Sequence, residues 1–262
     1  MKQGKFRLAC ASSITIAVAL WAAPAMAQGA SADSDGIEEI VVTAQKRAQS
    51  LQDVPMAISA VSGDTLRDAG TIGIDGLANL VPSLATVSNN QPLAQSYRIR
   101  GLGTDPNIPT FEPSVALFID GVYLPRTGLG VEDLVDIERI EVLKGPQSTL
   151  YGKNATAGVI SVISERPASE FGGSAEASIS NIEGGRNATA MRFAGSLTGP
   201  LSDRVRVRLT GVYYDAGPQF RNLTPAAEQP NEMKRYALRG QVEFDIADSV
   251  TVNLTGARSE VL

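Results

Sequence analysis

From Phe171 onward, apolar and polar residues alternate one by one in long runs, the period of two that marks strands. Val205, Val207, Leu209, Gly211 and Tyr213 fall on one face of the clearest run, and Arg204, Arg206, Arg208 and Thr210 on the other. Tyr236, Leu238, Gly240, Val242, Phe244 and Ile246 oppose Arg239, Gln241, Glu243 and Asp245. Val250, Val252 and Leu254 oppose Thr251, Asn253 and Thr255. Two weaker runs come first. In one, Ala175, Ala177 and Ile179 oppose Ser174, Glu176, Ser178 and Ser180; in the other, Met191, Phe193 and Leu197 oppose Arg192, Ala194, Ser196 and Thr198. Tight turns are expected at Gly199 to Ser202 and at Ala247-Asp248, and longer polar loops over Asn181 to Ala188 and Ala216 to Met233. Strands of about 9–11 residues or more, with short turns on one side and long loops on the other, describe a transmembrane barrel wall. A soluble sandwich sheet with a wet outer face is the other reading. The two signs of charge on the polar face, from Arg204, Arg206 and Arg208 to Glu243 and Asp245, favour a water-facing lumen.

Residues 50–167 are patterned differently, with short strands and short helices but no regular βαβ spacing, as in a compact α+β domain. Val54 to Val61 reads as a strand, and Ser62 to Asp68 as a short helix with a polar cap and Gly70 as its stop. Ile74 to Leu80 predicts another helical segment, ended by Pro82. Tyr97 to Arg100, Val115 to Ile119, Glu138 to Leu143 and Val159 to Ile163 predict strands, with a turn at Asp120-Gly121 and a helical turn over Leu134 to Ile137.

The amino-terminal residues read as an export signal. Lys2, Lys5 and Arg7 precede the apolar stretch Ile14 to Trp21, and Ala25-Met26-Ala27 offers small residues for cleavage after Ala27. Cys10 lies before the apolar run, out of place for lipidation. Residues 28–36 are small and acidic. Ile37 to Arg47 then gathers β-branched residues between charges, which suits either a peptide that pairs with a partner's sheet edge or the first strand of the next domain.

Composition narrows the chemistry. The chain has no histidine and only one cysteine, so Ser-His and Cys-His nucleophiles, histidine acid–base catalysis and Cys/His zinc sites are excluded. A formal net charge of −5 leaves no basic surplus for nucleic acid. Gly145 to Lys153 has the wrong glycine spacing for a phosphate loop, and Asn154 stands where Ser or Thr is needed. Gly101-x-Gly103 lacks the third glycine of a dinucleotide site. Asp133, Asp136, Glu138 and Glu141 are expected to be solvated or paired with Arg139 and Lys144 rather than to form a metal or acid–base cluster. Neither an enzyme nor a cofactor is expected.

Four motifs resemble the plug domain of TonB-dependent receptors, in that family's order: Asp53 to Val61, Tyr97-Arg98-Ile99-Arg100-Gly101-Leu102-Gly103, Val115 to Tyr123, and Leu134 to Ile163 with its Ile-Glu-Val-Leu-Lys-Gly-Pro core. The resemblance implies an α+β plug domain followed by antiparallel β-strands of an incomplete transmembrane β-barrel. It divides the chain into a signal peptide (1–27), a leader with a TonB box (28–49), the plug (50–167) and the first five or so barrel strands (168–262). A barrel that holds such a domain would need about 22 strands, so the expectation is an amino-terminal fragment.

The same resemblance places the TonB box at Ile40, Val41, Val42, Thr43 and Ala44, and so resolves the open choice in favour of a coupling peptide. It implies ligand contact near Arg100, Tyr123 and Arg126, although a structural role for Arg100 is an equal alternative, and it implies that plug charges meet charges on the inner barrel wall, a role open to the lumen-facing arginines. The partners it implies are the TonB protein of the inner-membrane energy-coupling complex, outer-membrane lipid and a small ligand such as a ferric siderophore. The competing reading is an isolated plug acting as a non-transporting periplasmic binding or remnant protein.

Overall fold

The computed structural model describes residues 40–44, 47–71, 73–88, 95–105, 112–125, 135–182, 188–218 and 233–261. β1 (Val41–Val42) pairs antiparallel with β2 (Gln49–Ser50). β3 (Ile58–Ser62) runs into α1 (Gly63–Asp68), whose cap is Ser62: its Oγ accepts the Thr65 N–H at 3.2 Å. Gly70 follows with φ +62°, the left-handed stop that glycine supplies without a Cβ clash. α2 (Ile74–Leu80) gives way to an extended Val81, as the residue before Pro82 requires. β4 (Leu84–Ser88), β5 (Gln95–Ile99) and β6 (Leu102–Gly103) then form a small antiparallel sheet.

β7 (Val115–Ile119) and β8 (Val122–Leu124) make a hairpin whose turn residues, Asp120 and Gly121, both have positive φ (48° and 81°), the primed-turn geometry expected there. β9 (Ile137–Lys144), the four-residue α3 (Ser148–Tyr151) and β10 (Gly158–Ser164) complete the domain. The main sheet has the order β3-β9-β10-β7-β8 and is antiparallel except for the β10–β7 pair. Ile137 opens β9 and Asp136 has φ +62°, so the helical turn expected over Leu134 to Ile137 is not formed at its described residues.

Strand alternation sends alternate side chains of this sheet into two separate apolar clusters. Ile140 and Val142, Ile160 and Val162, and Val115 and Leu117 meet α1, α2 and the small sheet through Leu66, Leu77, Tyr97 and Ile99. Leu143, Val159 and Ala116 meet Val42, Ala44 and Val54 on the other side. The β1 segment is therefore a covering element of the second face.

The rest of the described chain is one antiparallel meander: β11 (Gly172–Ile182), β12 (Ala188–Ser202), β13 (Val205–Ala216), β14 (Met233–Ala247) and β15 (Val250–Val261). The tight turns fall at Asp203-Arg204 and Asp248-Ser249. This corrects the turn expected at Gly199 to Ser202. β12 runs through Pro200, which the ladder accommodates with a register shift between Pro200 and Ser202, since a bulge tolerates the missing N–H. Burial is inverted relative to a soluble sheet: Leu209 is 51% exposed, whereas its neighbour Thr210 is 5% exposed. Ile179, Leu197, Leu238 and Leu254 also face out, while Arg192, Ser196, Gln241 and Glu243 are buried. Among the described residues no helix is long and apolar enough to cross a membrane; strands are not covered by that statement.

Candidate functional site

The segment Ile40 to Ala44 is clasped on the plug. Ile40 and Val41 are exposed, while Val42 and Ala44 are buried against Val54, Ala116, Leu143 and Val159. Thr43 donates twice to Glu141 Oε1, from its backbone N at 2.7 Å and its hydroxyl at 3.1 Å. Arg139 Nε donates to the same oxygen at 2.9 Å, and Tyr151 donates its hydroxyl to the Ala44 carbonyl at 2.9 Å. Burial pushes the Tyr151 hydroxyl up to about 12, helped by the nearby Glu141 charge, so the phenol stays a proton donor. Arg139 also pairs with Glu138, so the expected pairing of Glu138 and Glu141 with Arg139 is present.

Of the residues expected to contact ligand, Arg100 and Tyr123 stand on different elements. Arg100 occupies the turn between β5 and β6 with φ +53°, exposed. Tyr123 is half-buried on β8, and its ring packs on Phe118 at 5.6 Å between centroids. Phe118 in turn meets Tyr151 edge-on at 5.2 Å, and Asn154 donates to the Tyr123 hydroxyl. Tyr123 thus belongs to the apolar cluster that also holds Val42 and Ala44. Arg126 lies outside the described residues.

A second set of contacts fastens the plug to the polar side of the strand wall. Arg208 forks onto the Asp136 carboxylate, and Thr210 donates its hydroxyl to Asp136 Oδ2 at 2.6 Å. Arg239 donates to the Val135 and Asp136 carbonyls at 3.1 and 3.2 Å, and Arg208 to the Arg166 carbonyl at 3.1 Å. Gln241 Nε2 donates to Ser164 Oγ at 3.1 Å. Burial pushes the Asp136 carboxyl up. The hydrogen bonds from Arg208 and Thr210, with the charges of Arg208 and Arg239, outweigh that and hold it below the ordinary carboxylate range. Asp136 is therefore neither solvated nor paired with Arg139 or Lys144; its partners stand on β13, the meeting of a plug charge with lumen-facing arginines that the resemblance implies. Sequence spacing carried one signal for this, the row of alternate arginines on the polar face of β13.

An α+β domain bonded to the polar side of a sheet, with the sheet's apolar side turned outward, is the architecture of a plugged membrane-barrel wall. Residues 50–159 match the family model described as the TonB-dependent receptor plug domain. The chain carries a TonB-dependent receptor plug domain.

Similarity extends beyond the plug. The chain is 29% identical over 180 residues to the pesticin receptor of Yersinia pestis, an alignment that covers 69% of this chain and 25% of that protein. It is 30% identical over 214 residues to the iron-regulated outer membrane virulence protein of Vibrio cholerae, covering 76% of this chain and 30% of that one. In fold it resembles the crystal structure of the ferric yersiniabactin uptake receptor of Yersinia pestis, with a TM-score of 0.65 at 24% identity over 78% of this chain and 31% of that chain. The chain thus spans about a quarter to a third of the length of these relatives.

Proposed function

We propose that this chain supplies the coupling segment, plug and first wall strands of an outer-membrane receptor that imports a scarce ligand such as a ferric siderophore. The observation that supports it best is the inverted wall: Arg208, Thr210, Arg239 and Gln241 grip the plug, while Leu209 and Leu238 point outward. A lone periplasmic plug gives no use for that outward apolar face. In the proposed cycle, ligand binds on the outer side, and the segment Ile40 to Ala44 is passed to TonB as an added strand. Force drawn from the proton gradient then rearranges the plug. Backbone pairing suits such a handle, because it transmits load with little dependence on side-chain identity.

Val42→Pro in the gene that carries this chain bends the segment out of strand geometry and should abolish energy-dependent uptake while ligand binding to whole cells persists. The probes are radioiron-loaded siderophores, ferric yersiniabactin among them. Unchanged uptake by Val42→Pro would count against the coupling role. Failure of the parent receptor to accumulate any ferric complex would count against the siderophore class.

A further inference from the structure

Strand β1 has two edges, and only one belongs to β2. The Leu51 N–H donates to the Ile40 carbonyl at 2.8 Å, and Val41 stands opposite Ser50 and Val42 opposite Gln49. Antiparallel ladders alternate, so Ile40 and Val42 turn their backbone groups toward β2, and Val41 and Thr43 turn theirs away. The outward Thr43 N–H is met not by a strand but by Glu141 Oε1 at 2.7 Å. An incoming strand would have to set its own carbonyl where that oxygen now sits.

We propose that Glu141 is the latch of the coupling segment. Its carboxylate occupies the bonding edge of β1 and keeps it closed to a partner strand until Thr43 is released. This rests on the reading of Ile40 to Ala44 as the coupling segment. The Glu141 side chain is fully buried and, among the described residues, its Oε2 has no hydrogen-bond partner, so the bonding described there falls on Oε1. Two of the three donors there, the Thr43 amide and hydroxyl, leave with the segment, and only Arg139 remains. A buried carboxylate stripped of donors is unfavourable unless water follows, and hydrogen bonds to a charge are stronger than neutral ones. Release of β1 is thereby coupled to wetting of the cluster around Leu143 and Val159. Tyr151, bonded to the Ala44 carbonyl, is the second point of attachment.

The test follows burial of Val42, which is 0% exposed when the latch is closed. In a Cys10→Ser background of the full chain in detergent, alkylation of Val42→Cys by a maleimide reports opening. Glu141→Ala should speed that alkylation by about tenfold or more, and Glu141→Gln, which keeps a neutral acceptor, by less. Leu117→Cys, buried in the cluster on the opposite sheet face, serves as the control for general loosening. Equal Val42→Cys rates in the parent and in Glu141→Ala would overturn the latch, as would equal acceleration at Leu117→Cys. The opened Glu141→Ala chain should also bind the purified periplasmic domain of TonB more tightly. Fast alkylation without any such binding would uphold the latch and overturn the coupling reading instead.

Discussion

Asp136 holds a left-handed backbone (φ +62°), a conformation that costs a non-glycine residue about 1–2 kcal/mol. Its surroundings offset this: the Glu165 N–H donates to its carbonyl at 3.0 Å, and Arg208 and Thr210 bind its carboxylate. Because the folded carboxyl lies below its ordinary value near 3.8, its stabilisation is complete above that value and is lost as pH falls through the lowered one. Asp136→Asn should therefore flatten the acid limb of stability against pH, measured by denaturant unfolding in detergent. An unchanged limb would assign the acid sensitivity to other groups. Glu165 has the opposite sign. Burial raises its carboxyl, so its contribution is whole below the ordinary value and is lost as pH rises through the raised one. Asp136→Ala removes the carboxylate partner of Arg208, whose side chain is 11% exposed, and leaves it the Arg166 carbonyl and the nearby Glu165 charge; a loss of up to about 3–5 kcal/mol is expected on chemical denaturation. None of this could be read locally, since Asp136 and Arg208 are 72 residues apart.

At the scale of elements, β9 shows why a charge pattern misleads. Glu138 to Leu143 alternates charged and apolar residues, which reads as a strand with one wet face. Yet the β1 segment covers that face, and Glu141 is buried within it. On β13 the alternation is faithful, but its sense is reversed relative to a water-soluble sheet. Leu209→Lys should accordingly cost about 2–4 kcal/mol in lipid vesicles if Leu209 lies near the bilayer midplane, less toward either interface. A cost under about 0.5 kcal/mol would place Leu209 at an interface or against water, away from the bilayer midplane. Arg206, paired across β13 and β14 with Glu243 at 2.7 Å and with Asp245 at 2.9 Å, sits in a more open place. Arg206→Ala is expected to shift the same unfolding curves less than Leu209→Lys does.

For the whole molecule, every strand from β11 to β15 leaves large apolar side chains exposed, among them Ile179, Phe193, Leu209, Leu238 and Leu254. The full chain should partition into detergent or lipid and precipitate when detergent is withdrawn. A soluble monomer that melts cooperatively without detergent would exclude the membrane wall. The plug is held to that wall by charged and polar contacts from Arg208, Thr210, Arg239 and Gln241.

Sequence by itself determined what depends on near neighbours: the period-two strands with their two faces, the Ser62 cap and Gly70 stop of α1, the bounds of α2, and the Asp120-Gly121 turn. Tertiary structure decided which carboxylates are buried and what they bind. Thr43 meets Glu141 across 98 residues, Tyr151 meets Ala44 across 107, and Asp136 meets Arg208 across 72. The physical reason is that backbone conformation answers to residues a few positions away, whereas the environment of a buried charge is set by whichever distant strand packs over it.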